Sequence, residues 1–533
     1  MGVVMKKSIA IFLSLLLGAG FCFAKKKDAK AVLNAKPVQL GSVLQPLSTT
    51  AMETAEISAY MPQAKSLFVV AGIKKMESLD LTDPVHPKKG VAVTLLGNGS
   101  SVTANGDLLA VSSLGERDCD TGFVEIFKVD PPKEGKLLAI KKMAEFRPCS
   151  QPDMITFTPD GKKLLVACEA SQSPDFSEDP AGGIAILTLP ENAPAVSAAD
   201  FAKSMKLNVL GFESLDSTAL MKAGVRRVGV SPFYKTLEPE YITVSEDSRV
   251  AWVSLQENNA MARVDVAAEK ITDVFALGKS DHSKPGFAMD VKSNGEINIE
   301  NVPVRGLRQP DGISNVTVGG KNYVFTANEG APVNDYKEWT DETSVPMIAE
   351  QGSLDPKVFD ATTLSKLQNL TVSRIDACPE VKGGGCPYVT SFGTRSMSIF
   401  DGTSGKLLWD SGDQLEQAIS KIAPDFFNWN SKKGKLKKDA RSADKGCEPE
   451  NVTVGKVGDK RYAFVGLERT SGVAVFDVSD MNAPRLVDYY LDVKDRGPEG
   501  ILFVPAEKSP LAGAALLIVG YEYSKTLTIY TVK

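Results

Sequence analysis

The sequence predicts an all-β fold, specifically a seven-bladed β-propeller closed by an N-terminal strand, with helical insertions on one rim. Three observations lead there. Short apolar segments divided by polar turns fall into groups of four. The groups recur seven times along 533 residues, the last one strand short. Their strands are apolar on nearly every residue, as expected where a sheet is covered on both faces.

The first group occupies 53–95 (EISAYMPQ, SLFVVAG, KMESLDLTD, GVAVTLL) and the second 100–143 (SVTANGD, LLAVSSLGER, GFVEIFKVD, KLLAIKKM). The third, 152–189, gives MITFTPDGKK, LLVACEA and, after an insertion, GIAILTL. The fourth, 238–278, is the most regular: LEPEYITVSED, SRVAWVSLQENN, AMARVDVA, KITDVFALG. The fifth, 311–412, is split by a long insertion, and the sixth runs from 450 to 492. The last, 499–532, has only EGILFVP, LLIVGYEY and TLTIYTV. Its expected fourth strand is VQLGSVLQPLS (38–48), since pairing with TLTIYTV closes the ring and covers an edge. A linear solenoid would instead need polar caps at both ends.

With 43% hydrophobic and 24% charged residues the composition is that of a folded globular chain. A net charge of −5 argues against a general nucleic-acid binder. Residues 1–24 read as a signal peptide: Lys6-Lys7, an apolar core, then Cys22-Phe23-Ala24. That core is too short for a membrane span. Its removal brings the charge to about −7 and leaves a linker (25–37) ahead of the propeller (38–533). A periplasmic or secreted monomer is expected. A lipid anchor on Cys22 is less favoured, because Phe21 fits a lipidation signal poorly.

Export permits disulfides. Cys378 and Cys386 close the loop CPEVKGGGC and form the favoured pair, with Cys119–Cys149 a second expectation. No CxxC or histidine-rich spacing suggests zinc, and His86 and His282 are the only histidines.

The second strands run repeatedly into a glutamate: Glu116, Glu169, Glu257, Glu329, Glu468 and Glu522. Five innermost strands begin with Pro-Asp or Pro-Glu, placing Asp153, Glu240, Asp311, Glu450 and Glu499 at their starts. In a propeller these two positions share a rim, so up to eleven carboxylates should crowd one channel mouth. Proline before an acid is also ordinary turn chemistry. Converging carboxylates nevertheless repel and need positive partners. Arg117, Arg147, Arg226, Arg227, Arg308, Arg469 and Arg496 could supply a structural rosette. A hard cation such as Ca²⁺ could instead be held by Asp153, Glu169, Glu240, Glu257, Asp311, Glu329, Glu450, Glu468, Glu499 and Glu522, with Asn258, Asn328 and Asn451 as neutral donors. Insertions at about 171–182, 330–387 and 413–446 are expected over the same rim. Helices are expected around ATTLSKLQNL (361–370) and DQLEQAISKI, followed by a basic run SKKGKLKKDAR that reads as a solvated loop.

Several segments resemble the choice-of-anchor I domain family: LEPEYITVSEDSRVAWVSLQENNA (237–260), DHSKPGFAMD (281–290), RQPDGISNVTVGGKNYVFTANEG (308–330), SFGTRSMSIFDGTSGKLLWDSG (391–412), GCEPENVTVGKVGDKRYAFVGLERTSGVAVFDVSD (446–480) and RGPEGILFVP. The resemblance covers roughly residues 40–533 and implies an exported or surface propeller with varied anchoring. It supplies no established reaction, although bacterial members carry an alkaline phosphatase label. A lysine-rich stretch (432–438) departs from the family pattern, and no C-terminal anchor follows Lys533.

Two functions follow as expectations. The first is a non-catalytic envelope module whose acidic rim binds a cation, a small polar ligand or an envelope protein, with Arg308, Arg395, Arg496 and Asn328 as ligand-binding candidates. The second is a calcium-dependent phosphoester hydrolase, in which Arg308, Arg395 and Arg496 would meet the phosphate. The second lacks any recognisable activated nucleophile.

Overall fold

In the computed structural model, residues 35–70, 72–132, 138–175, 177–334, 339–376, 385–432 and 437–533 are described. The expected signal peptide therefore lies outside the described residues, as does most of the 25–37 linker. Among those described, the dominant elements are six four-stranded antiparallel sheets and one five-stranded sheet. Numbered along the chain, the first strands of sheets 1 to 7 are Ile57–Met61, Gly99–Asn105, Pro152–Phe157, Pro239–Val244, Ile313–Val318, Pro449–Val457 and Pro498–Val504. Each packs beside the first strand of the next sheet, and that of sheet 7 packs beside that of sheet 1. The arrangement is all-β and propeller-like.

The hydrophobic core shows why these strands are apolar throughout. On the second strand of sheet 1, Ser66–Val70, Leu67 and Val69 pack with Leu516 and Ile518 of sheet 7. Phe68 and Val70 point the other way, to Leu109 and Val111 of sheet 2. Alternate side chains thus fill successive interfaces, and every interface between neighbouring sheets has its own cluster.

The N-terminal closure is real but shifted. The strand that pairs with Thr526–Val532 is Leu44–Ala51, while Val38–Gln39 adds to the edge of sheet 6. The cause is Asp488, a fully buried carboxylate on sheet 6. It accepts the backbone N–H groups of Gly41, Val43 and Leu44 at 2.7–2.9 Å and so turns the chain from one sheet to the next. Replacing Asp488 by alanine would leave these donors without their acceptor, that of Leu44 in a fully buried place. The expected loss is on the order of 3 kcal/mol, read from the urea midpoint.

A fourth strand of sheet 3, Lys206–Leu210, was not evident in the sequence, because it follows a helix, Ala198–Ser204, and is largely solvent-exposed. The insertions carry the helices Ala361–Leu367 and Gln414–Ile422 where expected, plus Val345–Glu350. The 330–387 insertion packs Ile348, Leu367 and Val372 around Val304, part of a small sheet in which Val304–Leu307 pairs parallel to Val389–Ser391. No helix among the described residues is long and apolar enough to cross a membrane.

The disulfide expectation needs correction. Cys149 bonds Cys168 rather than Cys119, which remains a free, buried thiol. The Pro152↔Cys168 pairing brings the second-strand end of sheet 3 against the entry to its first strand. Cys386 is disulfide-bonded, and Cys378 lies outside the described residues.

Candidate functional site

The Pro-acid motif is a β-bulge. In sheets 3, 4, 6 and 7 the proline pairs with the last residue of the second strand: Pro152↔Cys168, Pro239↔Leu255, Pro449↔Leu467 and Pro498↔Tyr521. Register then slips before the next pair, leaving Asp153, Glu240, Glu450 and Glu499 in the bulge. The residue before the proline is left-handed at Gln151, Gln309, Glu448 and Gly497. In sheets 3, 6 and 7 its carbonyl accepts the N–H of the second-strand glutamate, from Glu169 (3.1 Å), Glu468 (2.8 Å) and Glu522 (2.8 Å). One repeated hydrogen bond therefore sets the two families of acids side by side.

Sheet 5 varies the theme. Gly312 donates to the Glu450 carbonyl at 2.9 Å, and a Cβ on it would meet Asn451 Oδ1 at 2.8 Å. Only glycine lets the Asp311 turn close onto sheet 6. Sheet 2 bulges at Ser100, a neutral residue. Sheet 1 has no proline yet places Glu56 directly ahead of its first strand. The sequence reading missed this acid because it was keyed to proline.

Strand entries of all seven sheets wall one cavity of about 250 Å³, contributing Ile57, Ser100, Asp153, Glu240, Asp311, Asn451 and Glu499. Glu56 and Glu169 join them. Of the eleven acids expected at the mouth, Glu116 is the exception, being exposed beside Arg117.

Two electrostatic zones divide this mouth. In the first, Glu329, Glu448 and Glu468 are met by Lys445, Arg441 and Arg469. Lys445 pairs with Glu329 and lies 3.0 Å from Glu448, Arg441 lies 2.6 Å from Glu448, and Arg469 lies 2.9 Å from Glu468. Burial works against the Glu448 charge, yet the three cations hold its carboxyl down at about 2. Arg441 and Lys445 come from the 413–446 insertion; Arg441 ends the basic run expected to be a solvated loop, and Lys445 lies just beyond it.

In the second zone Glu56, Asp153, Glu169, Glu240, Glu257, Asp311, Glu450 and Glu499 make no ion pair among the described residues. Burial, then repulsion by Glu329, pushes Asp311 up to about 8. Burial raises Glu56 to about 7, helped by Glu522 and Asp153, and Asp153 to about 6. Glu257 rises to about 7 chiefly through burial. Glu169, Glu240, Glu450 and Glu499 are all driven well above the usual carboxylate range by burial and then by neighbouring acids.

The predicted ligand-binding residues are placed otherwise. Arg308 spends its guanidinium on Asp410, Ser280, Ser398 and the Leu277 carbonyl. Arg395 spends its own on Glu416 and on the carbonyls of Asp290, Ser442 and Asp444. Asn328 is fully buried and bonds Ser396 and Ser398. Arg496 is half-buried and donates to the Ser431 carbonyl. Arg226 ties the 330–387 insertion to sheet 4, contacting Asp341, Asp376 at 2.7 Å, and the Glu257 carbonyl. Except for Arg469, the arginines expected to face the acids thus serve the scaffold. His282 is buried against the Phe287 carbonyl in the insertion sheet, and His86 is exposed beside Asp83.

Among known proteins, the chain is similar to a mesenchyme-specific cell surface glycoprotein of Strongylocentrotus purpuratus, 28% identical over 289 residues. That match covers 48% of this chain and 36% of the glycoprotein. Gigasin-3a of Magallana gigas is 26% identical over 163 residues, covering 27% of this chain and 57% of that protein. The chain thus spans well under two thirds of either relative. Among solved structures, Kuenenia stuttgartiensis hydrazine synthase superposes with a TM-score of 0.43 at 11% identity, covering 90% of this chain and 96% of that one. Saccharomyces cerevisiae Sqt1 gives 0.43 at 8% identity, covering 92% and 100%. Likeness at that level decides nothing about fold or function. The model of the choice-of-anchor I domain matches residues 56–481, and on that match the chain belongs to the choice-of-anchor I domain family.

Proposed function

We propose that the protein is a seven-bladed propeller, exported and acting at the cell surface or envelope, whose acidic channel mouth binds a cation or the cationic group of a ligand or partner. One observation carries this reading: among the described residues eight mouth carboxylates make no ion pair, while their neighbours Glu329, Glu448 and Glu468 meet three cations. An Arg–carboxylate rosette therefore accounts for one zone and leaves the other open. The Cys149–Cys168 disulfide and the apolar N-terminal segment support export. The cell-surface name of the sea-urchin relative supports the same placement.

Phosphoester hydrolysis is the less supported alternative, since Arg308 and Arg395 are already saturated by the chain itself. The test is a thermal melt at pH 8 with CaCl₂, with spermidine, and with NaCl of matched ionic strength. Calcium or the amine should raise the Tm by several degrees, because a ligand selective for the folded state stabilises it. Equal melts in all three would reject the binding reading. Steady hydrolysis of a phosphomonoester, abolished by a chelator, would favour the enzyme.

A further inference from the structure

Three clusters among the described residues bring ligand atoms within 4.8 Å of one another: Cys119–Asp120–Glu178, Glu329–Glu448–Glu468 and Asp311–Glu450–Glu499. The first is bridged by Arg117, 2.6 Å from Asp120 and 2.9 Å from Glu178. The second holds Lys445, Arg441 and Arg469. The third alone has no cation of the chain's own.

A second observation points to a ligand at this third cluster. Glu450 is 7% exposed and its Oε2 has no hydrogen-bond partner. Asn451 lines the same cavity as Asp311 and Glu499, is 4% exposed, and its Oδ1 also has no partner. Buried acceptors left unmatched in this way are uncommon and costly. Asp311 hydrogen-bonds the Glu450 side chain and Tyr241 that of Asn451, yet these two oxygens stay unmatched beside three carboxylates, which a cation would satisfy.

We infer that Asp311, Glu450 and Glu499, with the Asn451 carbonyl oxygen, form a specific site for one hard divalent cation of the calcium class. The inference rests on the acidic-mouth reading above and deepens it. All four donors are oxygens, which suits calcium or magnesium over zinc or copper. Calcium accepts ligands at about 2.3–2.6 Å, so two oxygens on one ion lie up to about 5 Å apart. The cluster's oxygens all lie within 4.8 Å of one another, inside that limit. Calcium also tolerates an irregular oxygen set, whereas magnesium demands near-ideal octahedral geometry. The donors come from sheets 5, 6 and 7, so a bound ion would also tie three sheets together at the axis.

The experiment is calorimetric titration of the purified protein with CaCl₂ at pH 8, repeated with MgCl₂, on wild type and three variants. Wild type should bind one Ca²⁺ and take Mg²⁺ at least tenfold more weakly. Asp311→Asn and Glu499→Gln should each weaken calcium at least tenfold, while Glu178→Gln should bind as wild type does. Both site variants should melt, metal-free, at or above the wild-type temperature, since each removes a repelled charge; that control separates lost binding from lost folding. Calcium binding unchanged in both variants would overturn this site and leave the acidic-mouth reading standing. No calcium binding in wild type, with spermidine still raising the Tm, would also overturn it alone. If neither ligand has any effect, both readings fall together.

Discussion

Replacing Arg395 with alanine should destabilise the protein by about 3–5 kcal/mol, the usual cost of removing one partner of a buried ion pair. Its guanidinium lies 2.7 Å from Glu416, which is 1% exposed. It also satisfies three carbonyls, those of Asp290, Ser442 and Asp444. Alanine would strand a buried carboxylate and leave those acceptors empty. The helix Gln414–Ile422, which carries Glu416, and the segment that delivers Arg441 and Lys445 to the mouth would both lose their anchor. Urea unfolding at constant m is the measurement. A second substitution, Glu416→Leu in the Arg395→Met background, should recover part of the loss by removing the stranded charge. A loss below about 1 kcal/mol for Arg395→Ala would show that the pair is not what secures this insertion.

The second large effect is with pH. Glu56, Glu257, Asp311 and Glu468 have folded-state values of about 7, 7, 8 and 7, all above the unfolded carboxylate range. Between roughly pH 4.5 and 8 the folded state therefore binds more protons than the unfolded state, so stability falls as pH rises through that window. Two groups act in the opposite sense at lower pH. Despite burial, Arg226 and Lys279 hold Asp376 at about 2, so its contribution is lost as pH falls below the ordinary aspartate range. Burial keeps His282 at about 4, so it opposes folding as pH drops below 6.5. Several carboxylates outweigh one histidine. The metal-free protein should thus be most stable near pH 5 and lose on the order of 5 °C in Tm by pH 8. A Tm that rises steadily from pH 5 to 8 would contradict the placement of Glu56, Glu257 and Asp311 in a zone without ion pairs.

Much of the fold is legible in the residues alone. The unbroken apolar runs of SLFVV and LLIVG demand a neighbour on both faces, and seven groups with a missing strand demand a donor from the other terminus. The Pro-acid entry was also legible as a recurring unit, although its nature as a bulge was not. Glu56 shows the limit of the motif: the position is structural, and proline merely accompanies it in five sheets. The shift of the closing strand from 38–48 to Leu44–Ala51 depended on Asp488, 444 residues from Leu44 in the chain. No local pattern reports such a contact.

Strand runs and the repeated stop at a glutamate are local properties, so the sequence by itself determined the succession of sheets and the gathering of acids at one end. Which of those acids are neutralised was decided only by tertiary structure. Lys445 reaches Glu329 across 116 positions, and Arg226 reaches Asp376 across 150. Both contacts depend on the path of the insertions, and Asp376 and Lys445 lie in their irregular stretches, outside any helix or strand. The physical reason is that burial and charge pairing are long-range quantities: a carboxylate's partner is set by what folds over it.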